Sequence, residues 1–114
     1  MSVIEAGAPL VTLVNVFRTD PAHQQRLVDL LIQATQDTMR HLPGYLSANI
    51  HRSLDGTHVV NYAQWRSQAD FLRMLQDPRV QPHMQRVREI ATNEAHLYDV
   101  VFTHGGDPGQ PQAR

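Results

Sequence analysis

The sequence predicts an α+β fold, and three observations support this class. Four segments rich in β-branched and aromatic residues predict strands, and two segments with apolar residues at helical spacing predict helices. These segments follow one another in the order strand–helix–strand–strand–helix–strand. The two central strands are joined by Asp55-Gly56, a pair typical of tight hairpin turns. This order is the split βαβ arrangement of ferredoxin-like folds, in which both helices lie on one face of an antiparallel sheet.

Size and composition narrow the functional classes. At 114 residues the chain is long enough for one domain with a single core. A net charge of −1 with interspersed signs predicts no nucleic-acid partner, and the lack of cysteine excludes disulfides and thiolate chemistry. Seven histidines are present, but none has the spacing of a metal-ligand motif, so we expect no metal site. No signal peptide or apolar stretch of about 18 residues is found, which predicts a soluble, cytoplasmic protein without a membrane partner.

The ends of the chain differ from its centre. Residues 1–9 show no periodicity, and we expect them to form a flexible arm. Residues 105–114 are rich in glycine, proline and glutamine, which predicts a disordered tail. The folded domain is therefore predicted to span residues 10–104.

The first strand is predicted over Leu10–Phe17, where apolar residues predominate. Asn15 interrupts this run and shares its face with Leu13 and Phe17, because side chains alternate across a strand. The simplest explanation for Asn15 is a hydrogen-bonded amide in the core or at an edge. Contact with a ligand is the alternative.

The first helix is predicted to begin at Asp20-Pro21, because Asp can cap a helix and Pro fits its first position. Its inward stripe consists of four apolar residues at helical spacing, Leu27, Leu30, Leu31 and Ala34. We expect it to end near His41, since Pro43 disfavours helical geometry in the residue before it.

The hairpin between Pro43 and Trp65 allows a register to be predicted. If Asp55-Gly56 forms a two-residue type I′ turn, both residues need φ > 0. The cross-strand pairs then follow: Leu54–Thr57, Ile50–Asn61, Ala48–Ala63 and Leu46–Trp65. One face is apolar except for an amide at its centre, and it carries Leu46, Ala48, Ile50, Val59, Asn61, Ala63 and Trp65.

Asn61 and Trp65 are the polar groups on that apolar face. A buried amide without partners costs about 1–3 kcal/mol, so Asn61 must bond either a nearby backbone group or a ligand. The indole N–H of Trp65, four residues further along, is a donor that also needs a partner. Two such groups on one side of one strand favour a ligand cavity, although each alone is explained by a packed core.

The second half of the chain predicts a helical region and a last strand. Ser67 and Asp70 form a weak capping box, with Asp in place of the better Glu. The inward stripe that follows is Phe71, Leu72, Met74 and Leu75. A second helical segment begins at Pro82 or is kinked there. The last strand is predicted over His96–Thr103.

The helices cover only one face of the predicted sheet. The other face, with His51, Val60 and Tyr62, needs either water or a partner. Packing of two such sheets face to face gives a symmetric homodimer, which we expect here. The ligand cavity would then lie inside each subunit, beneath the helices.

The stretch PGYLSANIHRSLDGTHVVNYAQWRSQADF resembles the corresponding region of the antibiotic biosynthesis monooxygenase family, and a weaker likeness extends from Val11 to Phe102. The resemblance implies a dimeric α+β barrel. It also implies an enzyme without cofactors that uses O₂ to oxidise an aromatic polyketide-like phenol or anthrone to a quinone. Asn61 and Trp65 match active-site residues that hold the substrate's oxygens.

Other positions of the family pattern are changed in this sequence. Phe71 stands where the family's oxidising members have a functional tyrosine. A functional arginine maps near Met84, with Arg86 or Arg88 as candidate substitutes. On the resemblance we expect substrate contacts from four residues, Asn15, Phe71, Met74 and Arg86. His83 and His51 are the candidate bases, because imidazole titrates near neutral pH, although the hairpin register places His51 on the dimer-facing side.

Three alternatives accompany this interpretation. A non-catalytic small-molecule-binding dimer and an aromatic polyketide cyclase are both compatible with the same fold. A second branch of the fold degrades haem with an asparagine on the first strand, a helical tryptophan and a helical histidine. Asn15 matches by type, but Met74 stands at the tryptophan position and His83 is one residue away from the histidine position. We therefore expect no tight haem binding.

Overall fold

The computed structural model describes residues 2–106, which form one four-stranded sheet covered on one face by helices. The elements in chain order are β1 (Val11–Arg18), α1 (Gln24–Asp37), a 3-10 helix (Met39–His41), β2 (Tyr45–Arg52), β3 (His58–Trp65), α2 (Gln68–Leu75), α3 (Gln81–Arg88) and β4 (Thr92–Tyr98). The strand order is β2-β3-β1-β4, and every neighbouring pair is antiparallel. The predicted ferredoxin-like α+β fold is confirmed.

The first helix begins later than predicted. Pro21 lies in a turn that precedes α1, and the helix starts at Gln24. Asp20 still supplies the expected acceptor, because its Oδ1 accepts a hydrogen bond from the His23 backbone N–H at 3.1 Å. It therefore closes the turn before the helix. The buried stripe of α1 contains three of the predicted apolar residues, Leu27, Leu31 and Ala34.

The hairpin turn differs from the predicted type I′ turn, and the predicted pair Leu54–Thr57 is not part of the strand ladder. Two of the four predicted cross-strand pairs are confirmed. Gly56 has φ +82°, but no non-glycine residue between 2 and 106, Asp55 included, has positive φ. The Asp55 carboxylate accepts hydrogen bonds from the Thr57 backbone N–H (3.0 Å) and from the Ser53 hydroxyl (2.7 Å). These bonds hold a longer loop. The pairs Ile50–Asn61 and Ala48–Ala63 form as predicted.

The predicted pairing of Leu46 with Trp65 is wrong. A β-bulge lies between Tyr45 and Ser47, and Tyr45 is the residue opposite Trp65. A bulge places an extra residue in one strand, so it reverses the facing of every residue beyond it. Leu46 consequently lies 49% exposed, while Tyr45 turns to the side of the sheet that the helices cover.

The last strand begins four residues and ends five residues earlier than predicted. β4 spans Thr92–Tyr98 and pairs with β1 from Arg18–Thr92 to Thr12–Tyr98. The apolar residues of the predicted segment, Val101 and Phe102, lie outside the strand and are exposed. An edge strand requires little side-chain burial. A polar segment can therefore form this strand by pairing its backbone with β1.

The helices after β3 follow the prediction in part. Ser67 caps α2, and its hydroxyl accepts a hydrogen bond from the Asp70 backbone N–H at 3.1 Å. Phe71 and Met74 are buried as predicted, but Leu72 is 49% and Leu75 42% exposed. Pro82 lies in the first turn of α3, which is the first of the two alternatives that the sequence allowed.

The buried residues between sheet and helices form two clusters. The first consists of Leu13, Leu42, Ala63, Trp65, Phe71, Met74 and Val80. The second consists of Phe17, Leu27, Leu31, Val59 and Val87. Each cluster contains residues of β1 and β3 and of at least one helix, so the sheet is covered at both ends. The space between them is available for a site.

The outer face of the sheet contacts the start of the chain. The Ser2 hydroxyl donates to the Ser47 hydroxyl at 2.7 Å, and the Gln64 side chain donates to the Val3 carbonyl at 2.7 Å. Flexibility of residues 1–9 stays a prediction, as does disorder of residues 105–114, most of which lie outside the described part of the chain. No helix in residues 2–106 is long and apolar enough to cross a membrane.

Candidate active site

A cavity of about 330 Å³ lies between the sheet and the helices, where the sequence predicted it. All four strands, the 3-10 helix and the three α-helices contribute to its wall. Its apolar lining residues are Leu13, Phe17, Leu31, Ala34, Met39, Ala48, Ala63, Phe71, Met74, Leu75, Met84 and Ala95. Its remaining lining residues are Asn15, Thr35, Tyr45, Asn61, Trp65 and Asn93. Such an apolar chamber with a few polar groups is typical of a small-molecule site.

Asn61 lies near the middle of β3 with its side chain in the cavity wall. Its Oδ1 atom is buried and accepts no hydrogen bond from residues 2–106. A buried amide oxygen without a donor costs about 1–3 kcal/mol relative to a bonded one. Asn61 is therefore better explained by a ligand in the cavity than by a structural role.

Trp65 ends β3 on the same face, and its side chain is only 2% exposed. Two aromatic rings hold the indole edge-on: Tyr45 at 5.8 Å between ring centroids and Phe71 at 6.2 Å. Such edge-to-face contacts fix the ring orientation and add about 0.5–1.5 kcal/mol each beyond area burial. The described part of the chain supplies no acceptor for the indole N–H, which leaves that donor available to a bound molecule.

Tyr45 is a cavity residue that the sequence analysis missed. Regular alternation along β2 assigns it to the outer face, and the bulge after it turns it inward. It is the only side chain with a titratable proton among the residues that line the cavity. Burial raises the pKa of its phenol above the ordinary value of 10.0. The phenol is thus neutral at physiological pH and can donate a proton or a hydrogen bond.

The structure brings five of the seven predicted site residues together. Asn15, Asn61, Trp65, Phe71 and Met74 all line the cavity, and their functional roles stay predictions. The remaining two, His83 and Arg86, are not among its lining residues.

Those two residues lie on α3. His83 is half-buried, and its Nε2 lies 3.0 Å from the Thr38 hydroxyl, a contact that joins α3 to the end of α1. Arg86 is exposed. The other candidate base, His51, is exposed on the outer face of the sheet, opposite Val60. Within residues 2–106, no three His, Asp or Glu side chains are grouped to hold a metal ion.

Known proteins resemble this chain in sequence and in fold. Residues 10–89 match the antibiotic biosynthesis monooxygenase family. The chain is 47% identical over 105 residues to tetracenomycin-F1 monooxygenase of Streptomyces glaucescens, which covers 92% of this chain and 94% of that protein.

Two solved structures show the same fold at appreciable identity. The ActVA-Orf6 monooxygenase of Streptomyces coelicolor, in complex with nanaomycin D, superimposes with a TM-score of 0.77 at 32% identity, over 86% of this chain and 93% of that one. SnoaB, a cofactor-independent oxygenase of Streptomyces nogalater, superimposes with a TM-score of 0.66 at 27% identity, over 90% of this chain and 100% of that one. By sequence and by fold, this chain belongs to the antibiotic biosynthesis monooxygenase family.

Proposed function

We propose that this protein is a cofactor-independent monooxygenase that oxidises a phenolic, fused-ring aromatic polyketide to a quinone with O₂. The observation that carries the proposal is the apolar cavity of about 330 Å³ in which the Asn61 amide lacks a partner beside the Trp65 indole. The names of the related proteins support it, since they include a tetracenomycin monooxygenase and a cofactor-independent oxygenase.

The proposed chemistry uses the electrons of the substrate itself. Loss of a proton from an anthrone-type CH₂ gives a carbanion whose charge is shared with the ring carbonyl oxygen. This anion transfers an electron to O₂, and the two radicals combine to form a C–O bond and a peroxide. Protonation of the distal peroxide oxygen and loss of the remaining C–H proton release water and leave a carbonyl. The balance is CH₂ + O₂ → C=O + H₂O.

The cavity residues provide hydrogen-bond donors and a proton donor where this charge develops. Asn61 and Trp65 offer N–H donors to the anionic carbonyl oxygen, and fixed donors of this kind act strongly in a cavity that excludes water. The neutral Tyr45 phenol is placed to give the proton that the peroxide requires. The apolar wall, with Phe71 and Met74, holds the ring plane and keeps water from the anion.

His83 is the proposed base that removes the first proton. It adjoins Met84 in sequence, and its hydrogen-bond partner Thr38 adjoins Met39, and both methionines line the cavity. The proposed role requires the imidazole to turn from Thr38 into the cavity. Replacement of His83 by Gln should lower kcat, because Gln can bond Thr38 but cannot accept a proton. A wild-type kcat in this variant would assign the base role elsewhere.

The proposal extends to the assembly and its partners. The working unit is a cytoplasmic homodimer, with a cavity in each subunit for one small aromatic substrate and O₂. Arg86 is proposed to contact the substrate from α3, which requires the exposed side chain to fold back toward the cavity.

Oxygen uptake with 1,8-dihydroxyanthrone tests the proposed reaction. Protein treated with a chelator and freed of flavin should consume one O₂ per quinone formed, faster than a protein-free blank. A cyclase would act on its own substrate equally under nitrogen. A binding protein would shift the absorption of the anthrone without uptake, and that result would overturn the monooxygenase assignment.

A further inference from the structure

The β-bulge of β2 is the place where two strand registers meet. On the side of the hairpin loop, Ser47 lies opposite Gln64. If this register continued without a bulge, Leu46 would lie opposite Trp65 inside the cavity, and Tyr45 would face outward. The bulge therefore places a tyrosine instead of a leucine in the cavity wall.

The regular register, without the bulge, competes with the observed one. In the observed register Leu46 is 49% exposed and is the extra residue that pairs with no residue of β3. The regular register would bury this side chain in the apolar cavity and restore the pairing. Burial of apolar surface thus favours the arrangement with Tyr45 outside, so a contact beyond the bulge must hold Tyr45 inside.

That contact lies at Gly44, where the second register begins. The Arg66 backbone N–H donates to the Gly44 carbonyl at 2.7 Å, which continues the Tyr45–Trp65 pairing by one residue. The Asp70 side chain packs directly against Gly44 and leaves no room for a Cβ there. Its carboxylate also accepts hydrogen bonds from Arg66, from Nε at 2.8 Å and from Nη2 at 3.1 Å. Asp70 thus holds both residues of this pair.

The Asp70 carboxylate is itself fixed in place. It is 3% exposed, and it also accepts hydrogen bonds from Ser67 Oγ at 2.9 Å and Arg73 Nη1 at 3.0 Å. Asp70 is not among the residues that line the cavity. Any influence of this carboxylate on the reaction must therefore pass through the strand that it holds.

We propose that Asp70 is a positioning residue for Tyr45. By holding Gly44 against Arg66, it forces the bulge that turns the phenol into the cavity. Without this contact the regular register extends along β2, with Leu46 inside and Tyr45 outside. The inference rests on the proposed function, in which the Tyr45 phenol gives its proton to the peroxide.

Thiol labelling tests the register without any turnover. The chain contains no cysteine, so Leu46→Cys introduces a single thiol whose reaction with a disulfide reagent reports the direction of position 46. In the otherwise wild-type protein this thiol should react rapidly. Combined with Asp70→Ala, it should react about 10-fold more slowly, because position 46 then faces the cavity. A loss of stability alone would have the opposite effect, since unfolding exposes the thiol.

Two further variants accompany Asp70→Ala. Arg66→Met breaks the ion pair with Asp70 at a side chain that is 64% exposed, so it decides the test if Asp70→Ala fails to fold by circular dichroism. It should slow the labelling in the same direction. Gln64→Met is the matched control, because it removes the bond from Ser47 on the other side of the bulge. It should leave the labelling fast.

Turnover with 1,8-dihydroxyanthrone tests whether Asp70 acts through Tyr45. Asp70→Ala should lower kcat toward that of Tyr45→Phe, about 10²-fold below wild type. The two changes combined should lower kcat no further, because both remove the same phenol from the cavity. Deletion of Leu46 makes the strand regular with Tyr45 still opposite Trp65. In that background Asp70→Ala should have little effect on kcat.

Labelling that stays fast in both Asp70→Ala and Arg66→Met would overturn the inference. Slow labelling with a wild-type kcat would also overturn it, since the phenol would then have left the cavity without loss of catalysis. Slow labelling in a protein that consumes no O₂ would support the control of the register by Asp70 and reject the monooxygenase proposal. Uptake of O₂ with fast labelling in both variants would do the reverse.

Discussion

Asn61 and Trp65 lie on one face of β3 and line the cavity, and the buried Asn61 Oδ1 has no hydrogen-bond partner in residues 2–106. Because residues 2–106 offer no partner to Asn61 Oδ1, Asn61→Ala leaves no hydrogen-bond donor of the protein without an acceptor. We expect this variant and Trp65→Phe to keep the wild-type melting temperature. Loss of a donor that meets developing charge should lower kcat by about 10²–10³. Oxygen uptake at saturating anthrone measures the loss.

Asn49 provides the matched control in the same hairpin. Its side chain lies on the outer face of β2 and donates to the Tyr62 carbonyl at 3.0 Å. Asn49→Ala should lower the free energy of unfolding by about 1–3 kcal/mol and leave kcat per folded molecule unchanged. If Asn61→Ala instead behaves like Asn49→Ala, Asn61 is a structural amide and the functional assignment fails.

Tyr45 leads to a separate prediction with a defined pH dependence. Its pKa is raised by burial, so the phenol carries its proton below about pH 10 and loses it only above that value. If Tyr45 is the proton donor, wild-type activity falls as pH rises through this raised pKa. Tyr45→Phe should lose about 10²-fold in kcat, lack that alkaline limb, and keep its stability through the ring contact with Trp65.

Tyr62→Phe is the control for Tyr45→Phe, because Tyr62 lies on the outer face of β3, opposite Asn49. It should retain both kcat and the alkaline limb. A Tyr45→Phe enzyme with wild-type turnover would assign peroxide protonation to a group outside the cavity wall, such as a water molecule.

The sequence predicts which face of the sheet a side chain occupies where regular strand alternation alone decides it. Asn15, Asn61 and Trp65 follow regular alternation within unbroken strands, and all three reach the cavity as expected. Tyr45 escaped prediction because its direction depends on the bulge after it. Asn93 escaped because the last strand was placed four residues too late, which left this asparagine outside the predicted sheet.

At the scale of elements, the hairpin shows which features local sequence specifies. Asp55-Gly56 marked the turn and fixed the pairing of Ile50 with Asn61, although the turn type differed. The bulge is decided by two cross-strand contacts at once, Ser47 Oγ to Gln64 Oε1 at 2.8 Å and the Tyr45–Trp65 ring contact. The residue pattern of one strand shows neither contact, so the alternation of side chains could not predict the bulge.

The start of α2 depends on one buried carboxylate. Asp70 is 3% exposed and accepts hydrogen bonds from Arg66 Nε at 2.8 Å, Ser67 Oγ at 2.9 Å and Arg73 Nη1 at 3.0 Å. Gly44 packs directly against it with φ +83°, so any side chain at position 44 would collide with Asp70. The hydrogen bonds from Arg66 and Ser67 lower the pKa of Asp70 below its ordinary value of 3.8.

This lowered pKa predicts an acid-dependent loss of stability. As pH falls, the unfolded chain takes up the proton before the folded chain does, so the contribution of Asp70 is present above the unfolded pKa and lost below it. We expect wild type to unfold at higher urea concentration than Asp70→Asn at about pH 7, with the gap narrowing as the pH falls through the lowered pKa of Asp70. Asp37→Asn, at the exposed end of α1, should show no such convergence. A gap that stays constant with pH would mean that the carboxylate acts only through its shape.

At the scale of the whole molecule, the outer face of the sheet is covered only at one end. Ser2 and Val3 cover Ser47 and Gln64, which are 8% and 4% exposed. The opposite part of the face, with His51, Val60, Tyr62 and the 37%-exposed Val16, has no cover in residues 2–106. Val16 and Val60 are cross-strand neighbours on this face, and Val16 is exposed. Apolar residues grouped on an uncovered sheet face favour an interface, because burial of that face removes them from water.

We expect a homodimer in solution that packs through this outer face, and light scattering should give twice the chain mass at micromolar concentration. Val16→Lys should produce a monomer, because desolvation of an ammonium group in the interface costs several kcal/mol even opposite its cross-strand neighbour Glu94. Ile32→Lys is the matched control, since Ile32 is a β-branched residue with a similar exposure, 39% against 37%, but lies on α1 away from the sheet face. It should remain dimeric. A monomeric wild type would reject the dimer, and a dimeric Val16→Lys protein would move the interface to another surface. The Val16→Lys monomer should still bind anthraquinones, because Val16 lies on the sheet face opposite the one that lines the cavity.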